Sequence, residues 1–183
     1  MNIIGLELKT ENFINDNWEK INLIISDYSG SLTEFYILNL DYSNVREALK
    51  IITNNSPNPQ IICLNSFSLT KPISFYSSLI NTITEYKEEK YMNIIRADFT
   101  EKETANYHIW IDKEKNEIEI ELVFSNKSSF PKSNSKEQNI ATLHKYLEVI
   151  YKIKGLDSNC KVYLGDEHNG APIEIIEELL EIR

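Results

Sequence analysis

Residues Tyr107–Phe124 read YHIWIDKEKNEIEIELVF, and the alternation in this stretch decides the fold. Apolar side chains recur at every second position on both sides of the polar run Lys113–Asn116, the period of two half-buried strands joined by a turn. If Asp112 opposes Glu117, then Ile111 meets Ile118, Ile109 meets Ile120 and Tyr107 meets Leu122, and these six form a buried face. The same register gathers His108, Trp110, Asp112, Glu117, Glu119 and Glu121 on the opposite face. Arg96 joins them if the preceding strand sets it beside His108.

Working outward, Asn93–Phe99 is a third strand with no room for a helix before Tyr107, so the middle of the chain is predicted to be an antiparallel meander. The first half alternates differently. Ile4, Leu6 and Leu8 suit a strand, and Ile14, Trp18, Ile21 and Ile25 recur at helical steps between Glu11 and Tyr28. The run Phe35 to Leu38 suits a strand covered on both faces. Ser43 is the expected cap of a helix carrying Val45, Ala48, Leu49 and Ile52, and Gln60–Leu64 is the next strand. Pro72 is expected to open a helix that turns Leu79, Ile80 and Ile83 inward. Beyond the meander, Ser135 and Gln138 have the spacing of a capping box for a helix to Lys154, with Ile140, Leu143, Leu147 and Ile150 as its stripe. Cys160–Leu164 reads as a last strand and Pro172–Ile182 as a last helix. The predicted class is α+β: one domain over residues 1–183, with a central mixed sheet, parallel connections early, the antiparallel meander in the middle, and helices packed on its faces.

Composition sets the outer limits. The chain has 183 residues, 42% hydrophobic and 26% charged, enough for a core that needs neither metal nor disulfide. Cys63 and Cys160 each sit in an apolar run and are read as buried thiols. The first residues lack the pattern of a secretion signal, and no apolar run approaches the ~20 residues of a membrane span. A cytoplasmic protein without a membrane role is therefore expected. Acidic residues outnumber basic ones, 28 to 19, for a net charge of −9. That balance disfavours free nucleic acid, whose phosphates call for clustered Lys and Arg. It favours a basic protein partner, although acidity also serves solubility alone.

Three groups of residues invite a chemical reading. Glu117, Glu119 and Glu121 stand about 6.8 Å apart along one side of one strand. With Trp110 and Asp112 beside them, they make either a solvated strand face or a docking surface that receives a partner's Lys and Arg. His108 and Glu121 have the makings of a general base and its orienting carboxylate, but no Ser or Cys nucleophile can be placed next to them. Asp166, Glu167 and His168 are adjacent in a loop. Neighbouring residues seldom ligate one ion together, so the loop is read as a charged turn, and no metal or cofactor is expected. With Glu174, Glu177, Glu178 and Glu181, the loop makes the end of the chain acidic, and Asp166 and Glu167 extend the docking surface. No phosphate-binding loop, dinucleotide fingerprint, nucleophile elbow or zinc-protease motif occurs, so no catalytic residue is assigned.

Ile, Asn, Lys and Tyr are abundant and Ala is scarce, a usage matching an AT-rich bacterial genome. In this overall character, with the acidic strand around Trp110 and the acidic end from Asp166 onward, the chain resembles the immunity proteins that accompany bacterial polymorphic and contact-dependent growth-inhibition toxins. The resemblance implies no enzymatic activity. It implies inhibition of one cognate toxin by tight binding, with a basic, nuclease-type surface as the partner. Two alternatives stand beside it: a metal-dependent hydrolase using the Asp166–His168 loop, and a regulatory interaction domain whose partner is not a toxin.

Overall fold

The computed structural model describes residues 14–26, 28, 32–99 and 104–166. The expected strand at Ile4–Leu8 and helix at Pro172–Ile182 lie outside them, as do Glu167 and His168. A helix, α1 (Trp18–Ile25), leads into β1 (Leu32–Asp41), a 3-10 turn (Tyr42–Asn44) and α2 (Val45–Asn55). The hairpin β2 (Gln60–Leu64) and β3 (Phe67–Ser74) is followed by α3 (Ser78–Thr84). The meander β4 (Lys90–Asp98), β5 (Thr104–Asp112) and β6 (Glu117–Ser125) comes next, then the short α4 (Asn126–Ser129), α5 (Lys136–Lys154) and β7 (Lys161–Asp166).

The strands form one seven-stranded sheet in the order β3-β2-β4-β5-β6-β1-β7. The α+β class holds, but every pairing is antiparallel, where a mixed sheet is expected from the sequence. Each helical connection nevertheless joins strands that run the same way. From β1 to β2, across β6, β5 and β4, there are four antiparallel steps, an even number; from β3 to β4 and from β6 to β7 there are two. A strand-helix-strand pattern therefore fixes direction here, while the strands skipped by each crossover are filled by antiparallel neighbours.

One face of the sheet and the inner sides of α1, α2, α3 and α5 share a single apolar cluster. Val123 and Tyr163 are buried on the other face and are not part of it. The described helices thus gather on one face of the sheet, where both faces are expected to be covered. The α2 stripe is the expected Val45, Ala48, Leu49 and Ile52. Its lead-in is capped by Asp41 instead of Ser43: Asp41 Oδ1 accepts from the Ser43 amide at 2.8 Å, and the Ser43 side chain together with that amide holds the Asp41 carboxyl below the usual range. The capping box on α5 is present as expected, with Ser135 and Gln138 each accepting from the other's amide. An aromatic group closes one end of the core, where Phe124 stacks on Tyr146 at 4.6 Å and Phe130 meets Phe124 edge-on.

The segment around Pro72 differs from expectation. It is edge strand β3, and the helix begins at Ser78. Proline lacks a donor but is tolerated on a sheet edge. Between Ile61↔Ile73 and Cys63↔Ser68, β3 advances five residues against two on β2, a bulge that bends the edge around Lys71 and Pro72. Cys63 and Cys160 are buried free thiols, and burial pushes Cys160 up to about 11. Among the described residues, no helix is long and apolar enough to cross a membrane.

Candidate functional site

The meander delivers the expected register. Asp112 pairs with Glu117, Ile111 with Ile118, Trp110 with Glu119, Ile109 with Ile120, His108 with Glu121 and Tyr107 with Leu122. The turn between the strands is held by Asp112, whose Oδ1 accepts from the Lys115 amide at 3.0 Å, and by Asn116, whose φ of 58° lies in the left-handed region that Asn tolerates. Asn116 also ties the turn to β1, donating to Asp41 Oδ2 at 2.7 Å. The six predicted face residues consequently share one side of a braced antiparallel sheet, away from the helices.

Cross-strand pairing arranges that face in rows. One row runs Asp41–Glu117–Asp112–Lys90, the next brings Glu119, Trp110 and Met92 side by side, and a third runs Tyr163–Tyr36–Glu121–His108–Ile94. Arg96 lies one row further on, opposite Asn106 and not His108, and binds Gln60 while standing 3.7 Å from Asp98. It does not compensate the glutamates.

The carboxylates are not equally served. Asp112 lies 3.6 Å from the Lys90 ammonium and 3.8 Å from that of Lys115. Partial burial alone would raise the Asp112 carboxyl, but the Lys115 amide and the two ammonium groups outweigh it and hold the group below the usual carboxylate range. Lys90 is itself bound to Glu114 at 2.8 Å, and that hydrogen bond together with the field of Asp112 holds its ammonium above the usual lysine range. Glu121 has His108 Nδ1 at 3.4 Å. The side chains of Glu117 and Glu119 make no ion pair or hydrogen bond with the described residues.

Trp110 is 45% exposed and stands between Met92 and Glu119. It forms one wall of an open groove of about 370 Å³ whose other sides are Met92, Lys90 and Asp112, with Glu117 and Glu119 at the β6 side. Met92 and Lys90 went unrecognised in the sequence because β4 hides its alternation. Asn93 takes a core-facing position there, fully buried, with its Oδ1 accepting from the Asn65 amide at 2.9 Å. Tyr91, Ile95 and Ala97, all core-facing, were the signal that remained.

His108 and Glu121 do come together, flanked by Ile94, Tyr36, Asn106 and Trp110, none of which is a serine or cysteine nucleophile. Asp166 ends edge strand β7 with its backbone opposite Thr33, three strands or about 14 Å from β5. Its side chain, with Glu167 and His168, falls outside the described residues. Among the described residues, no group of three or more His, Cys, Asp or Glu is arranged to hold a metal ion.

In comparisons with protein-family models, curated proteins and solved structures, the chain matches none.

Proposed function

We propose that this chain is an immunity protein of bacterial cytoplasm, without a reaction of its own, that neutralises a cognate basic toxin of the nuclease type by binding it. One observation carries the reading: a half-exposed tryptophan beside two carboxylates, Glu117 and Glu119, that have no cation among the described residues, all on a rigid open sheet face. Fixed, unanswered charge beside an exposed aromatic suits a protein interface, where the aromatic supplies a desolvated anchor and the charges steer encounter. A nuclease must attract phosphate, and an acidic surface can occupy the same field. The net charge of −9 points the same way.

The test is co-expression with the toxic domain encoded beside the gene, followed by binding kinetics at several salt concentrations. Wild type should restore growth and associate at a rate that falls with ionic strength, since surface charges are screened beyond about 8 Å in physiological salt. Glu117→Lys with Glu119→Lys should slow association, whereas Trp110→Ala should act mainly on dissociation. Failure of the wild type to bind or to rescue would overturn the proposal. Binding without rescue would leave an interaction domain with a different role.

A further inference from the structure

We propose that the groove beside Trp110 is a seat for one arginine side chain of the partner, and that it prefers arginine to lysine. The inference deepens the binding reading above and rests on it. The groove is electrically divided. At the Asp112 end both cations are already engaged, Lys90 by Glu114 at 2.8 Å and Asp112 at 3.6 Å, and Lys115 by Asp112 at 3.8 Å. An incoming anion would find no unengaged ammonium there. At the β6 end Glu117 and Glu119 lack any such partner among the described residues and stand two positions apart on one strand, about 6.8 Å along it. A guest that completes the site must therefore bring positive charge to that end.

The aromatic and apolar neighbours then choose between the two basic side chains. Trp110 lies directly across from Glu119 on one side and from Met92 on the other, so a cation held by Glu119 on the groove side lies beside the indole. A guanidinium is planar, less strongly hydrated than an ammonium, and stacks on aromatic faces. It also presents donors along more than one edge, enough to bind one carboxylate in a forked pair and reach a second. An ammonium is a compact, well-hydrated point charge that satisfies one carboxylate and gains little from a flat ring. Met92 offers apolar surface for the methylene stem that either residue carries.

The experiment is NMR on the full chain. It follows the two indole Nε1–H signals, assigned with Trp18→Phe, during titration with three blocked tripeptides, Gly-Arg-Gly, Gly-Lys-Gly and Gly-citrulline-Gly. The arginine peptide should shift the Trp110 signal saturably and leave Trp18 in place. The lysine peptide should bind about fivefold more weakly, and the uncharged citrulline peptide should not bind. Glu119→Gln should weaken the arginine peptide by a similar factor, with the rest of the spectrum unchanged as a check on folding. Equal binding of arginine and lysine peptides, or an unmoved Trp110 signal, overturns the seat. Growth rescue by wild type together with an unmoved Trp110 signal would reject the seat and keep the immunity reading. A saturable arginine response without rescue or complex formation would do the reverse.

Discussion

On the core side of β5 and β6, Tyr107, Ile109, Ile111, Ile118, Ile120 and Leu122 are between 0 and 2% exposed, while on the other side, one residue along in each case, Trp110 is 45% exposed and Glu117, Glu119 and Glu121 form a row. The two faces come from the same eighteen residues and the same hydrogen-bonded ladder, so the difference between them is one of side chains alone. The core face needs no explanation beyond burial, because each isoleucine removed from water contributes to folding. The open face is not required by folding: a carboxylate row repels itself, and an exposed tryptophan forgoes the burial that its size would reward. Residues that folding does not ask for are the ones that need a functional account.

The sharpest way to break this contrast is to truncate one residue on each face. Ile120→Ala, at 0% exposure in the middle of the sheet, should lower unfolding free energy by about 2 to 5 kcal/mol, from lost burial plus the cavity left behind. Trp110→Ala should cost clearly less, about 1 kcal/mol, because the indole is only about half covered by its neighbours. Urea denaturation of both variants measures this. Comparable losses would show that Trp110 is part of the packing and would remove the main support for a docking face.

The contrast was legible in the sequence because period-two alternation in Tyr107–Phe124 fixes register as well as structure, and a slip of β6 by one residue would have put Ile118, Ile120 and Leu122 in water. The order of strands was not legible. Local strand-helix-strand patterning gives the relative direction of β1 and β2, which do run alike, but carries no information about which strands lie between them. The β2–β3 hairpin was missed for a different reason. Its turn, Asn65-Ser66, takes positive φ at both residues, 51° and 68°, a conformation that Asn signals and Ser does not. Pro72 then looked like a helix start, although it sits in an edge strand, where its missing donor costs little. For the site, the aromatic and the acids could be read from one hairpin, whereas the groove depends on β4, whose alternation Asn93 interrupts with a buried polar group serving the neighbouring turn.

A finer test stays on the core face and concerns its one hydroxyl in this hairpin. Tyr107 is fully buried and accepts a hydrogen bond from Ser56 Oγ at 2.9 Å, and burial drives its phenol well above the usual tyrosine range. Tyr107→Phe keeps the ring and leaves the Ser56 hydroxyl without this acceptor. The expected loss is about 1 kcal/mol, measured by thermal or urea denaturation. Partial recovery in the double variant Tyr107→Phe with Ser56→Ala would show that the penalty is the orphaned donor and not the packing.

The smallest expected effects separate two carboxylates on the open face itself. Asp112 is held by the Lys115 amide, Lys90 and Lys115, and its carboxyl lies below the usual range in the folded protein. A lowered folded value means that the unfolded chain takes up its proton first. Stabilisation by Asp112 is therefore fully present above the unfolded value, near pH 4, and is lost as pH falls through the lower folded one. Asp112→Asn should accordingly be less stable than wild type at neutral pH, with the gap closing under acid. Glu119 has no such partner among the described residues and lies two positions from both Glu117 and Glu121 on the same strand. Glu119→Gln relieves repulsion without breaking a bond, so stability should hold or rise by about 0.5 kcal/mol or less, and the gain should shrink as salt screens the row. Opposite signs at neutral pH would show that the face carries one compensated and one uncompensated charge. A loss in both variants would mean that Glu119 is already engaged within the folded chain, and the cation sought for it would not have to come from a partner.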